Sequence, residues 1–372
     1  MKNMKVFILT GIFCIVLFNA EAQLLKEPEV DSLKRAVFVI DAPDAREVKL
    51  INLSDKMALG AREYNFEKSG DGKWTLTTKP CRPGLHYFEI SIDGAKVAYP
   101  YCNTYFGWAK WTNMIEIPDD QLDFYLPKNV PHGEIRQHFY YSKTTQTTRK
   151  CLVYTPPGYD KNINEKYPVV YLQHGSGESE LGWTMQGKAN FILDNLIAEG
   201  KAKPFIIVMD NGYAPRPGAD NQYTPGGNDN LFADLVTKEL IPVIDASYRT
   251  LSDQKDRAIA GLSMGGGQAI HIGFDHPELF GTVATFSGGS GLRFDVETAD
   301  NGIFKDAAKF NHTYKLFFIG CGTLEPWYSG MNEMYVSLKK HGINTAFSGP
   351  VGSHEWQVWR VHLYDFAQKV FK

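Results

Sequence analysis

The sequence predicts two folded domains, an all-β sandwich followed by a larger α/β domain built on a mostly parallel sheet flanked by helices. Residues 30–125 contain short strand-like runs separated by turn residues, whereas from about residue 150 apolar runs alternate with helix-like stretches. The chain has 372 residues, of which 43% are hydrophobic and 22% charged, and these values suit two ordinary globular cores.

The first residues of the chain predict an export signal. Two lysines precede an apolar run over residues 6–18, and an Ala-x-Ala site at residues 20–22 follows it. This order is typical of a secretory signal peptide, so we expect residues 1–22 to be removed and the protein to be periplasmic or extracellular. The apolar run is too short to span a bilayer, and no later stretch has the roughly 20 apolar residues that a transmembrane helix needs.

Residues 23–125 predict the sandwich, because their strand-like runs are short and closely spaced. Cys81 and Cys102 both lie in this part of the chain, and in an oxidising compartment either a disulfide between them or two buried thiols fits the sequence. The strand-like runs are 36–40, 48–52, 74–78 and 86–91, with turn signals at 70–72, 83–84 and 93–94.

Residues 126–372 predict the α/β domain. Two prolines and a glycine in residues 126–133 interrupt any regular element and mark the boundary. Beyond it, buried-strand patterns alternate with helical ones, which indicates a parallel sheet covered on its faces by helices. The strand-like runs are 168–172, 205–209, 257–260 and 316–319, and the main helical stretches are 189–199 and 231–248.

Residues 261–265 read Gly-Leu-Ser-Met-Gly and match the G-x-S-x-G pattern of a nucleophile elbow. The motif follows a strand-like run and precedes a helix-like one, as the elbow requires. Glycines two positions to each side leave room for a sharp strand-to-helix turn, in which Ser263 takes a strained conformation. Ser263 is therefore the predicted nucleophile.

A serine hydroxyl needs a histidine base and a carboxylate, and in this arrangement both follow the serine, with the acid before the histidine. His354 fits the base, because it lies between the last strand-like run, 345–348, and the terminal helix. Glu325 is the only carboxylate on the loop after the run 316–319, and it is the predicted acid. Asp210 and Glu355 are the alternatives.

An oxyanion hole needs two backbone N–H groups aimed at the developing negative charge. One is expected from Met264, directly after the nucleophile. The second is expected from Ser176, in the glycine-rich turn that follows the run 168–172. No H-E-x-x-H or similar ligand cluster is present, so the sequence predicts neither a metal nor a cofactor.

The motifs of residues 130–372 resemble those of the esterase-D-like α/β-hydrolases of carbohydrate esterase family 1, which includes feruloyl and acetyl xylan esterases. The resemblance implies an α/β-hydrolase fold and a serine esterase. The chain departs from the family at the acid, where Gly-Thr-x-Glu replaces the usual Gly-Thr-x-Asp. The matching segments are 130–133, 153–159, 174–178 with Trp183, 257–266, 320–323 and 354–356.

The first domain is similar to immunoglobulin-like, family 48 carbohydrate-binding modules in residues 72–76 and 83–94. Aromatic rings pack well on the flat C–H faces of sugars. The aromatic residues 105–111, including Trp108, are expected either to bind glycan or to cover the active site, and we favour the second role.

Together these features predict a secreted serine esterase that removes ferulate or another hydroxycinnamate from a cell-wall polysaccharide such as arabinoxylan. Acetyl xylan esterases, enterochelin-type siderophore esterases, acyltransferases and non-catalytic glycan-binding proteins are the alternatives. The formal net charge of −3 argues against nucleic acid as a partner, and the sequence leaves the oligomeric state open. The expected substrate-binding residues are Trp183, Trp327, Trp356 and Trp108.

Overall fold

The computed structural model of the protein describes residues 28–55, 57–218, 231–289 and 294–372. The predicted signal segment, residues 1–22, lies outside the described residues. In the part of the chain that is described, no helix is both long enough and apolar enough to cross a bilayer.

The first part of the chain forms two antiparallel sheets. One has the strand order β1-β2-β6-β5, and the other has the order β4-β3-β7-β10-β9 with β8 paired to β7. Strand β2 alternates buried and more exposed side chains, so that Phe38 and Ile40 enter a core shared with Leu50 and Phe88 of the second sheet. The strands are β1 Glu29–Val30, β2 Ala36–Asp41, β3 Val48–Asn52, β4 Glu63–Asn65, β5 Glu67–Lys68, β6 Lys73–Thr77, β7 Gly84–Ile92, β8 Ala95–Val97, β9 Thr104–Gly107 and β10 Lys110–Ile117.

The second part is built on an eight-stranded sheet of order β11-β12-β14-β13-β15-β16-β17-β18. The pairs β11–β12 and β12–β14 are antiparallel and the remaining pairs are parallel. The sandwich strands thus end at Ile117 and this sheet begins at Glu134. Its strands are β11 Glu134–Ser142, β12 Thr147–Thr155, β13 Val169–Gln173, β14 Ile206–Asp210, β15 Arg257–Leu262, β16 Thr282–Phe286, β17 Leu316–Gly320 and β18 Thr345–Ser348.

Helices cover both faces of this sheet, because successive strand residues point to opposite sides. Val169 and Tyr171 pack with α3 to α7, whereas Val170 and Leu172 pack with α1, α2 and α8. The helices are α1 Gly182–Met185, α2 Ala189–Ala198, α3 Phe232–Leu235, α4 Ile241–Ser247, α5 Met264–Asp275, α6 Ala307–Thr313, α7 Tyr328–Lys340 and α8 Trp356–Ala367, with a π-helical turn, Val236–Leu240, between α3 and α4.

The sandwich packs on the face of the sheet that carries α1, α2 and α8. Leu85, Tyr87, Met114 and Tyr125 belong to the same hydrophobic cluster as the residues of these helices. The two parts therefore share a core and do not meet only through a linker.

A buried arginine ties the two parts together. Arg360 of α8 is fully buried and donates two hydrogen bonds, of 2.7 and 2.8 Å, to the carboxylate of Glu116 on β10. It also donates to the carbonyl of Gln186, and its guanidinium lies 4.4 Å from the centre of the Tyr125 ring. Such a buried, fully paired cation fixes the orientation of the sandwich on α8.

In the described part of the chain, Cys81, Cys151 and Cys321 are free thiols. Cys81, Cys151 and Cys321 are buried and Cys102 is half-buried. Of the two states that the sequence left open for Cys81 and Cys102, the structure shows the unbridged one.

Candidate active site

Ser263 lies at the sharp turn between β15 and α5. Its backbone has φ 51° and ψ −116°, which is a strained conformation for a residue with a side chain. A Cβ on Gly261 would lie 2.4 Å from the backbone of Gly265, and one on Gly265 would lie 2.5 Å from the carbonyl oxygen of His174. The two glycines are therefore required by space, and the turn leaves the serine hydroxyl at the carboxyl edge of the sheet.

The structure brings Ser263, His354 and Glu325 into one hydrogen-bonded chain. His354 Nε2 lies 2.9 Å from the Ser263 hydroxyl oxygen, and His354 Nδ1 lies 2.8 Å from Glu325 Oε2. Because an ionised carboxylate can only accept, Nδ1–H donates to Glu325 and Nε2 is left free to accept the serine proton. This arrangement gives a weak hydroxyl the base that it needs to act as a nucleophile.

Glu325 is buried, and its second oxygen is also satisfied. Oε1 accepts hydrogen bonds from the Ser287 hydroxyl at 2.6 Å and from the Gly322 N–H at 2.8 Å. Burial acts to raise the pKa of this carboxyl, but the hydrogen bonds from His354, Ser287 and Gly322 outweigh it, so the pKa is held below its ordinary value. Glu325 therefore stays ionised and orients His354.

The two alternative acids lie elsewhere. Asp210 is buried at the end of β14, where it pairs with Arg149 and accepts from the Tyr140 hydroxyl. Glu355 pairs with Arg82 of the sandwich at 2.8 Å. Neither carboxylate hydrogen-bonds to His354.

The predicted oxyanion hole lies between the turn after β13 and the start of α5. A Cβ placed on Gly175 would lie 3.4 Å from the Ser263 Cβ, so this turn runs directly beside the nucleophile. The Gly175 N–H donates to Glu178 Oε2 at 2.9 Å, and the Gly177 N–H donates to the Tyr213 hydroxyl at 2.7 Å.

Both predicted oxyanion donors have unused N–H groups. The Ser176 N–H, between the two bonded glycines, has no hydrogen-bond partner within the described ranges. The Met264 N–H is the first of α5, where helical N–H groups have no partner within the helix. Both are thus free to take a substrate oxygen.

Glu178 is a buried carboxyl beside this turn. Burial raises the pKa of Glu178 to about 8, although the hydrogen bond from Gly175 acts in the opposite direction. Burial therefore favours the neutral form of this carboxyl beside the predicted oxyanion hole.

The structure does not place two of the four predicted substrate-binding tryptophans at an accessible surface. Trp183 and Trp356 are buried, at only 1% and 2% exposed. Their rings pack edge to face, 5.4 Å apart, and Trp356 donates its indole N–H to the Tyr87 hydroxyl. Their positions in the sequence, flanking the loops predicted to be catalytic, led to the prediction, but these side chains turn inward and fill the shared core.

Trp327 and Trp108 remain accessible. Trp327 is half-buried, with its ring centre 5.2 Å from that of His354. Trp108 is 63% exposed at the tip of the β9–β10 hairpin, and the N–H of its neighbour Ala109 donates to the Gly177 carbonyl at 2.8 Å. The sandwich thus reaches the turn that carries the predicted oxyanion donor Ser176.

Sequence reasoning missed three residues that hold the site. Ser287 donates to Glu325, Tyr213 holds Gly177, and Trp359 packs edge to face on His354 at 4.9 Å between ring centres. Only Ser287 had a usable signal, because it follows a buried strand and precedes two glycines. The contacts of Tyr213 and Trp359 depend on how separate elements pack.

In the described segments, no group of three or more His, Cys, Asp or Glu side chains is arranged to hold a metal ion. His174, which opens the turn after β13, is fully buried, and burial lowers its pKa to about 4. Its Nε2 accepts the Gly212 N–H at 2.9 Å, so the ring is neutral and holds the end of β14.

The sheet order, the strained serine and its hydrogen-bonded histidine define the α/β-hydrolase class. Residues 142–369 match the model of the esterase family whose description reads "Putative esterase", and the chain belongs to this family.

Relatives in sequence and structure fit this assignment. The chain is 38% identical to an endo-1,4-beta-xylanase/feruloyl esterase of Xylanibacter ruminicola over 93% of its own length and 46% of that protein. It is 27% identical to an uncharacterized protein of Corynebacterium glutamicum, over 59% of its own length and 57% of that protein. The chain thus spans about half of the length of each of these two curated relatives.

Two solved structures illustrate the fold. A ferulic acid esterase of carbohydrate esterase family 1 from Anaeromyces mucronatus, in complex with ferulic acid, is 26% identical with a TM-score of 0.57 and covers 68% of this chain and 96% of its own. The enterobactin esterase of Shigella flexneri, at 16% identity, shares the fold over 90% of this chain and 92% of its own, with a TM-score of 0.63. The similarity to the enterobactin esterase includes the β-sheet part that precedes the hydrolase domain.

Proposed function

We propose that the protein is a secreted serine esterase that releases ferulate or another hydroxycinnamate from plant cell-wall polysaccharide such as arabinoxylan. The observation that carries the proposal is the hydrogen-bonded chain from Ser263 through His354 to Glu325. The relatives that are named feruloyl or ferulic acid esterases support the choice of acyl group. The accessible Trp327 ring beside His354 offers an aromatic acid a flat surface.

The reaction follows from the geometry. His354 Nε2 takes the proton of Ser263 as its oxygen attacks the ester carbonyl, and the N–H groups of Ser176 and Met264 hold the resulting oxyanion. The protonated His354 gives its proton to the departing sugar hydroxyl, which leaves a feruloyl-serine ester. Water then attacks this ester while His354 takes a proton from it. The bond between the acyl carbon and Ser263 Oγ breaks, His354 returns the proton to Oγ, and the released ferulic acid ionises to ferulate. Glu325 stabilises the imidazolium in both steps.

The test is the release of ferulate from feruloylated arabinoxylan and of acetate from acetylated xylan by the wild-type protein and by Ser263→Ala. We expect ferulate release, reduced by about 10⁴-fold or more in the variant. Ser247→Ala, at an exposed position on α4, is the matched control and should retain full activity.

Other outcomes are informative. Release of acetate alone would keep the triad and contradict the hydroxycinnamate assignment. Ferulate release that survives in Ser263→Ala would contradict the triad itself. Release of neither acid would direct attention to siderophore esters and acyl transfer.

A further inference from the structure

A cavity of about 300 Å³ lies at the carboxyl edge of the sheet, beside the turn that carries Ser176. The strand β12 runs antiparallel to β14, so the start of β12 lies next to the end of β14. The cavity is open to solvent on one side and is lined by these two strand ends and by Glu180 of the turn after β13. Its volume is at the lower end of the roughly 300–1,000 Å³ of small-molecule pockets.

The walls of this cavity are polar and their charges are balanced. Arg149 pairs with Asp210 at 3.0 Å, and Lys150 pairs with Glu180 at 2.9 Å. Asn211 and the hydroxyls of the threonines at the start of β12 also line it. With two cations and two carboxylates the walls carry no net charge, and they offer both donors and acceptors. Such walls suit a neutral, polyhydroxylated ligand better than an anion or an aromatic ring.

The cavity and the catalytic serine share one loop. Tyr213, in the cavity wall, accepts the Gly177 N–H, and Gly175 of the same turn lies against the Ser263 Cβ. Glu180 lies three residues beyond Gly177. When the carbonyl oxygen of a substrate binds at Ser176, this polar cavity therefore lies next to the ester.

We propose that this cavity is a sugar subsite that binds a pentosyl residue of the polysaccharide next to the ester held at Ser263. The inference rests on the proposed function and extends it, because it assigns recognition of the sugar to the hydrolase domain. It separates recognition of the sugar chain, in the cavity, from recognition of the acyl group, beside His354.

Thr148→Trp tests the subsite by blocking it. Thr148 is exposed on β12 at the cavity wall, and aromatic residues are well tolerated in strands. We expect kcat/KM on a feruloylated arabinoxylo-oligosaccharide to fall at least about tenfold. Hydrolysis of methyl ferulate, which has no sugar, should change less than about twofold. Gln137→Trp, exposed on the neighbouring strand β11, is the matched control and should leave both substrates unaffected.

Glu180→Gln is a second, smaller change that removes one charge and keeps the shape. It should lower kcat/KM on the oligosaccharide selectively, whereas Glu333→Gln, at an exposed position on α7, should not. Equal losses on both substrates, or no loss on either, would overturn the subsite.

Direct binding separates the subsite from the proposed activity. Unesterified arabinoxylo-oligosaccharide is titrated calorimetrically into Ser263→Ala and into Ser263→Ala/Thr148→Trp. We expect the second protein to bind at least about tenfold more weakly. Equal affinities, or no binding to Ser263→Ala, would overturn the subsite. A wild-type protein that binds the sugar but hydrolyses no ferulate ester would instead contradict the proposed function alone.

Discussion

Ser287 links Glu325, the predicted catalytic acid, to the helix that covers it. It lies directly after β16, is buried, and donates to Glu325 Oε1 while its oxygen lies 3.2 Å from the indole nitrogen of Trp359. Its backbone N–H donates to the Gly320 carbonyl at 2.7 Å, which fixes the side chain in place. Ser287 is a positioning residue, because it acts through Glu325.

We expect Ser287→Ala to lower kcat about 10- to 100-fold with little change in KM, since outer-shell partners of this kind orient the working groups. Ser348→Ala is the control, because Ser348 is also buried and donates to Asp365 at 2.6 Å outside the triad. Steady-state kinetics of both variants checks this. A loss of kcat in Ser287→Ala no larger than in Ser348→Ala would contradict the positioning role.

Glu178 makes the stability of the fold depend on pH. Burial raises the pKa of Glu178 to about 8 from an ordinary value of 4.5. Between these two values the unfolded chain is ionised while the folded protein keeps the proton. The unfolded state therefore binds fewer protons, and the free energy of unfolding falls as pH rises from about 4.5 to about 8.

Glu178→Gln removes this titration and keeps an oxygen that can accept the Gly175 N–H. We expect the variant to gain stability relative to the wild type between pH 5 and pH 8, by several kcal/mol at most. Urea unfolding at the two pH values measures the difference. For Glu333→Gln, the difference in free energy of unfolding from wild type should be the same at pH 5 and pH 8. If this difference were also independent of pH for Glu178→Gln, the Glu178 carboxyl would not be held neutral.

At the scale of elements, the β9–β10 hairpin reaches from the sandwich to the active site through a strained turn. Trp108 and Ala109 both have φ of 57°, and two-residue hairpin turns with positive φ usually contain asparagine and glycine. The strained conformation is held by two contacts with the hydrolase. Ala109 N–H donates to the Gly177 carbonyl, and Gln186 donates to the Phe106 carbonyl at 2.9 Å.

Gly177→Ala tests this contact. Gly177 has φ of 76°, which strains any other residue, and a Cβ there would lie 3.1 Å from the Ala109 nitrogen, so the hairpin or the turn must shift by a few tenths of an ångström. We expect kcat to fall at least about tenfold because the Ser176 N–H moves, and each missing oxyanion donor costs about 10²–10³ in kcat.

Gly200→Ala is matched to this variant, because Gly200 has φ of 67° and a Cβ there would meet no atom within 4 Å. Gly200→Ala therefore imposes a similar backbone strain but disturbs no contact between the hairpin and the turn. Kinetics and circular dichroism of both variants, compared with wild type, make the measurement. Equal activity of the two variants would show that the hairpin contact does not position the turn.

At the scale of the whole molecule, the shared core predicts that the sandwich and the hydrolase unfold together. Leu85 and Met114 of the sandwich lie in the same cluster as Leu363 and Phe366 of α8. Arg360 adds a buried ion pair with Glu116 across the same boundary.

We expect Arg360→Met to lower the free energy of unfolding by about 1–3 kcal/mol, because the buried Gln186 carbonyl loses its donors and the partly exposed Glu116 loses its partner. Arg35→Met removes an ion pair with Asp31 whose side chains are substantially exposed, and it should cost less than about 1 kcal/mol. Urea unfolding followed by tryptophan fluorescence and by circular dichroism checks both values. If the wild type unfolded in two separate urea transitions, or if the two probes gave different midpoints, the shared core would be contradicted.

Local sequence patterns predict part of the fold and of the candidate site. An α/β domain with a mostly parallel sheet follows from the alternation of buried strands and helices, and the sheet order agrees with it. The family resemblance implies the α/β-hydrolase fold, and the structural comparisons agree with it. The nucleophile elbow is a local motif, so Ser263 could be named from five residues. Loop order after the elbow led to Glu325 and His354, which lie in one hydrogen-bonded chain with Ser263.

The sequence by itself determined the candidate residues of the site, because a strained elbow, a following acid and a late histidine are set by local geometry and chain order. Only the tertiary structure decided which aromatic rings face substrate, since the direction of a side chain depends on what packs against it. Trp183 and Trp356 turn into the shared core, while Trp359 and Ser287 support the triad. The polar cavity beside Tyr213 could not be predicted from the sequence, because three separate chain segments line it.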